Sequence, residues 1–285
     1  ADGRSVSMKY DERFLYLLVR GSDVGETSPL YLPIDTTQKS GSTVCADPEL
    51  SFDRAADFLV VIDGAEDSRV LVQSRYEVLR ATSLTQKTGE DPYVDPPAKD
   101  DPEFVSIELM LQTLTDYESV EAADGAVDVG EGYYYQTYDT GALRQGDANP
   151  AHESFDSLAD FCLGDGFVEI KLPWQLLNFG NPSEMQIHDD YYENWGVEFI
   201  GIDRMYVGVG DGSSTIGLFE RPLEGWGSHV TYHERLKESY YIMQQLWAND
   251  VSADDLLADD SPEVAEAEKR ARREAEEQLE AVEEQ

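Results

Sequence analysis

One stretch of this chain restricts its fold more than any other: Phe167-Val-Glu-Ile-Lys-Leu-Pro-Trp-Gln-Leu-Leu-Asn-Phe-Gly-Asn-Pro-Ser183. Val168, Ile170 and Leu172 alternate with Glu169 and Lys171, the period-two pattern of a strand with one buried face. Pro173 has no N–H to give to a ladder, so pairing stops there. Trp174, Leu176 and Leu177 follow as a compact apolar plug, which puts Trp174 in the core. Asn178 to Pro182 carries turn chemistry. The stretch predicts a half-buried strand that runs into a short helical turn.

The same reading extends along the chain to about residue 230. Val6–Tyr10 and Phe14–Val19 predict a hairpin across the polar turn Asp11-Glu-Arg13. Leu30–Ile34 is a further strand. Ala56–Ile62 and Ser68–Gln73 form another hairpin, with the favoured turn pair Asp63-Gly64 between them. Residues 88–103 hold four prolines among acids and read as a loop. Phe104–Leu114 and Tyr133–Tyr138 resume strand composition. Met205–Val209 and Thr215–Phe219 close the series across Gly210-Asp-Gly212. Many short strands with Gly, Asp and Pro turns indicate a sandwich or barrel. Apolar residues make up 41% of the chain, enough for a substantial core.

Charge is the second constraint. Acidic residues number 59 against 21 basic ones, a net charge of −38. At low salt such a charge strains the compact state by self-repulsion. In molar salt the Debye length falls to about 3 Å and the repulsion is screened. An acidic, lysine-poor surface is therefore the composition expected of a salt-adapted protein. The same charge excludes nucleic acid as a partner, because no basic stripe is available for phosphates. It also argues against docking on anionic lipid. No apolar run approaches the roughly 20 residues that span a bilayer. The sequence shows no signal peptide and reads as a piece of something longer. Cys45 and Cys162 allow one disulfide or two separate thiols.

The last fifty or so residues change character. Leu236, Tyr240, Met243 and Trp247 recur at helical spacing and predict an amphipathic helix that packs on the edge of the β domain. Residues 263–285 are rich in Ala, Glu, Arg and Lys, with a thin apolar stripe, and read as a solvated helix. The predicted organisation is a β domain over 1–230, a packing helix over 231–249, and an acidic linker with a helical tail over 250–285.

The order Glu169-x-x-x-Pro173-Trp174 followed by a Leu-rich turn resembles the late strand of family-nine carbohydrate-binding modules and DOMON-like domains. Three segments extend the resemblance: Tyr138–Pro150, Asp156–Phe161 with Phe167–Ser183, and Tyr232–Tyr241. In this order they are similar to an accessory domain of large bacterial and archaeal proteins classed as family-two glycosyltransferases or glycoside hydrolases. The resemblance implies an antiparallel β-sandwich of the carbohydrate-binding-module type. It also implies an oligosaccharide or polysaccharide ligand, a neighbouring catalytic domain in the same polypeptide, and a place outside the cell or on its surface.

Sugar-binding sandwiches use aromatic faces for C–H stacking and carboxylates or amides for hydroxyls. Trp195 and Trp226 lie in polar, Gly-flanked segments that suit exposed platforms; they equally suit hydrophobic lids over the ends of the sheets. Asp190 and Glu193 are candidate hydroxyl acceptors, and Tyr135 lies in a Tyr-rich strand with some side chains facing outward. Asp189 and Asp190, and Asp35 with Asp57, are candidate oxygen ligands for calcium. No cofactor is required by any motif. No catalytic residue is assigned, because the four histidines lack ligand spacing and no nucleophile elbow or phosphate loop is present. The expected function is a non-catalytic carbohydrate-binding-like accessory domain. The alternatives are a glycoside hydrolase fragment and a structural surface domain without ligand.

Overall fold

The computed structural model describes residues 3–24, 29–77, 91–114, 127–128, 133–149, 151–193 and 198–227, with Tyr240, Met243, Gln244 and Trp247. The side chains of 110–114, 127–128 and 133–136 are excepted. The chain forms two compact units, Ala1–His229 and Val230–Gln285. In the second, the four described residues are helical and exposed. The expected packing of the 231–249 helix and the reading of the 250–285 tail lie outside the described residues.

The first unit is mainly β. Strands β1 (Ser5–Tyr10) and β2 (Phe14–Arg20) form the first hairpin. Next come β3 (Leu30–Asp35), the β4 (Ser42–Cys45) and β5 (Leu50–Ala56) pair, and β6 (Phe58–Ile62). A single helical turn, α1 (Gly64–Asp67), connects β6 to β7 (Arg69–Gln73), in place of a tight two-residue turn. Strands β8 (Phe104–Ser106), β9 (Glu108–Leu114), β10 (Val127–Asp128) and β11 (Tyr133–Asp139) follow. Then come β12 (Phe161–Gly164), β13 (Phe167–Pro173), β14 (Phe179–Asn181) and β15 (Gln186–His188). Strands β16 (Phe199–Gly201), β17 (Arg204–Gly208) and β18 (Leu218–Pro222) complete the series.

Two sheets dominate: a four-stranded one, β1-β2-β13-β12, and a six-stranded one, β18-β17-β3-β6-β7-β8. All their pairings are antiparallel. Both feed one hydrophobic cluster: Leu15, Leu17 and Ile170 from the first, Leu32, Phe58 and Val207 from the second. The strand β13 ends at Pro173, opposite Phe14, as its missing N–H dictates. Trp174 opens a short 3₁₀ turn there and is 1% exposed.

Strand β6 explains why its sequence is an uninterrupted apolar run. Phe58, Val60 and Ile62 face the main cluster, whereas Leu59 and Val61 face a second one with Leu50, Phe52 and Ile216. A strand covered on both faces has no polar alternation.

Candidate functional site

Two regions of the first unit gather polar chemistry. The first is a buried seam at the ends of β3, β6 and β7. Asp57, completely buried, accepts at Oδ2 from the Thr36 N–H (2.7 Å), the Thr36 hydroxyl (2.9 Å) and the Thr37 N–H (2.8 Å). Burial, and then the nearby Asp35 carboxylate, push its pKa up to about 8. Gly41, at φ +104°, leaves room beside it: a Cβ there would stand 3.0 Å from Asp57 Oδ1. Asp35 pairs with Arg54, whose guanidinium lies 3.6 Å from the centre of the Tyr206 ring. Arg75 Nε donates to Asp190 Oδ2 at 2.8 Å, both groups being buried, and a second nitrogen of its guanidinium donates to the Pro97 carbonyl. Asp189 pairs with Lys39, and Glu193 with Lys99.

This geometry gives the calcium reading no support. Each of Asp35, Asp189 and Asp190 is held by its own arginine or lysine, and Asp57 by backbone and hydroxyl donors. A calcium site needs several oxygens converging on one point and free of cations. Among the described residues no group of three or more His, Cys, Asp or Glu is placed to hold a metal ion. A cavity of about 620 Å³ opens beside the seam, near Asp35, Arg54 and Tyr206. Its Arg54 and Lys39 are engaged by Asp35 and Asp189.

The second region is the outer face of the four-stranded sheet, opposite the core. Alternation turns Val19, Leu17 and Leu15 of β2 inward and Arg20, Leu18, Tyr16 and Phe14 outward. The register sets these into rows across three strands: Lys9–Tyr16–Lys171, Ser7–Leu18–Glu169, and Ser5–Arg20–Phe167. A cavity of about 690 Å³ lies over the face, bordered on the β12 side by the loop residues Gly146–Asn149 and His152. Tyr16 and Phe167 are half-buried. The Tyr16 hydroxyl donates to Asp11 Oδ2 at 2.8 Å. Burial and that bond raise its pKa to about 12, so the hydroxyl keeps its proton.

The loop is itself ordered by Asp147. That carboxylate accepts from the Asn149 N–H (2.9 Å), the Ser154 hydroxyl (2.7 Å) and the His152 ring (2.7 Å), which lower its pKa to about 2. An ionised carboxylate only accepts, so His152 Nδ1 carries the proton. Its Nε2 lies 3.1 Å from the Asn149 side-chain amide.

No family model, curated protein or solved structure matches this chain.

Of the residues picked from sequence, Trp226 is half-buried and packs on the core, 6.2 Å from Trp174 between ring centres. That is a lid over the plug rather than a free platform. Trp195 lies outside the described residues. Tyr135 is in β11, paired with Val127 and Gln112, and its side chain is outside those described. Asp190 is buried against Arg75, and Glu193 is exposed. Cys45 and Cys162 are free thiols, the second lining the outer-face cavity. Sequence reasoning passed over Lys9, Tyr16, Asn149, Phe167 and Lys171 as site residues. Their outward phase was readable from the alternation, but the pairing that joins them was not.

Proposed function

We propose that the chain is a non-catalytic, carbohydrate-binding-like accessory domain. Its four- and six-stranded sheets form the two layers of a β-sandwich. It works outside the cytoplasm of a salt-adapted microbe, beside a sugar-active module of the same polypeptide. The observation that carries this reading is the cavity over the outer face of the four-stranded sheet. Half-buried Tyr16 and Phe167 offer apolar ring surface there, and Asn149, Glu169 and Lys171 supply donors and acceptors around them. Apolar surface with a few convergent polar groups is the composition of a small-ligand site, and pyranose rings present C–H faces edged by hydroxyls. The ion-paired seam, by contrast, reads as structural.

Titration with a panel of oligosaccharides at molar salt tests the reading. Wild type is expected to bind at least one of them. Tyr16→Ala should weaken binding by about tenfold or more, by analogy with the roughly 1–3 kcal/mol that a stacking ring contributes elsewhere. Tyr16→Phe should keep most of it. A wild-type chain that binds nothing on the panel would favour the structural surface domain.

Salt adaptation carries its own expectation. With 59 acids against 21 bases, the thermal melt should rise steeply between low salt and molar KCl. A flat melting temperature across that range would overturn that part of the proposal.

A further inference from the structure

The distribution of unpaired cations narrows the ligand. Acids outnumber bases 59 to 21, and eight of the thirteen described Lys and Arg side chains stand within 4.0 Å of a carboxylate, Arg69 with Asp139 and Arg144 with Asp156 among them. Arg4 is held by Asp23 and Asp211, Lys39 by Asp189, Arg54 by Asp35, Arg75 by Asp190, Lys99 by Glu193, and Arg204 by Asp203 and Glu220. The exceptions among the described residues collect on one sheet. Lys9, Arg13, Arg20 and Lys171, on the outer face of β1-β2-β13 or its hairpin turn, have no ion-pair partner within 4.0 Å. The remaining one, Arg221, donates to the Val6 carbonyl of β1.

Their arrangement is regular. Lys9 and Lys171 flank Tyr16 in one row, so their Cα atoms stand two strand spacings apart, about 10 Å. Arg20 lies four residues along β2 from Tyr16, about 13 Å away. The Lys171 ammonium sits 5.0 Å from the centre of the Phe14 ring, with the Arg13 guanidinium 6.0 Å from it. Carboxylates border the face too, Asp11 on the Tyr16 hydroxyl among them, but among the described residues none stands within 4.0 Å of these four cations. Asp147 is bound to His152 and Ser154, and Asp160 accepts the Arg144 N–H. Glu169 lies in the middle row, opposite Leu18.

We infer that the ligand of this face is an anionic saccharide, one whose carboxylates or sulfate esters recur along the chain. The inference rests on the carbohydrate reading and specifies it. Rings at Tyr16 and Phe167 would meet sugar faces, while Lys9, Lys171 and Arg20 meet the acidic groups. The net charge of the protein opposes a polyanion only at long range. At molar salt that repulsion is screened within about 3 Å, and direct contacts decide binding.

The experiment uses the full chain at one fixed molar salt concentration. An oligogalacturonate, a sulfated oligosaccharide, a neutral oligosaccharide and polyglutamate are titrated into wild type, Lys9→Gln/Lys171→Gln and a Lys99→Gln control. Melting curves of each variant are recorded alongside. At least one acidic saccharide should bind more tightly than the neutral one, and the carboxylate and sulfate arms identify which anion is preferred. The double variant should lose about tenfold of that affinity, as two exposed ion pairs suggest, with its melt unchanged and a clearly smaller loss for the neutral sugar, so that the preference for the acidic one disappears. Lys99→Gln should match wild type. Equal affinity for neutral and acidic sugars, or a double variant that keeps the preference, would overturn the inference and leave the carbohydrate reading standing. Polyglutamate binding as tightly through the same lysines would overturn it in favour of an acidic protein segment. No binding of any saccharide would remove the carbohydrate reading itself.

Discussion

Trp174→Ala is expected to destabilise the first unit by about 3–5 kcal/mol, enough to unfold a domain of ordinary stability. The indole is 1% exposed. Its Nε1–H donates to the Asp11 carbonyl at 2.9 Å, tying the end of β13 to the β1–β2 turn. Its ring meets Phe179 at 4.6 Å, Tyr10 at 5.7 Å and Trp226 at 6.2 Å between centres. Truncation therefore opens a cavity, orphans a carbonyl at the turn and removes the support under Trp226. Trp174→Phe keeps much of the volume and should cost less. Trp226→Ala, at a half-buried lid, should cost less than Trp174→Ala. Denaturant unfolding of all three at molar salt checks the order. A Trp226→Ala variant less stable than Trp174→Ala would place the plug at the wrong tryptophan.

How much of this was legible in the sequence depends on the range of the information. The period-two alternation of Val168, Ile170 and Leu172 identified β13 and its buried face, and Pro173 fixed where it ends. The hairpins β1–β2 and β6–β7 were visible because their partners are adjacent in the chain. The neighbours of β13 were not, because β2 lies about 150 residues earlier. Without that pairing, Lys9, Tyr16 and Lys171 are three scattered outward residues rather than one row. Trp195 and Trp226 drew attention through their loop context, yet residue type alone does not tell a platform from a lid. Trp226 packs on Trp174. The acids are ambiguous in sequence for a related reason. Asp35, Asp57, Asp189 and Asp190 suggest metal ligands as oxygens, but the cations that hold three of them are distant in sequence. Asp190, for instance, is 115 residues from Arg75.

Asp57 should also give the first unit a pH dependence of defined sign. Its carboxyl keeps its proton to about pH 8 in the folded chain, through burial and then Asp35, against about 3.9 in an unfolded one. Between those values the folded state binds the extra proton. Stability is thus fully present below about pH 4, falls as pH rises through the window, by at most about 1.4 kcal/mol per unit, and levels off above about 8. Asp57→Asn keeps an acceptor for the Thr36 and Thr37 N–H groups and cannot ionise. Its melting temperature should decline less than that of wild type between pH 5 and 8, measured at molar salt so that surface carboxylates contribute little difference. Asp57→Ala removes the acceptor altogether and should cost about 1–3 kcal/mol for each buried donor left without a partner. The same slope in wild type and Asp57→Asn would mean that Asp57 stays ionised, stabilised by its four donors, the Thr36 and Thr37 N–H groups and the Thr36 and Ser40 hydroxyls. Its role would then be that of an anionic cap on the Thr36-Thr37 turn, and stability would be lost on acidification instead.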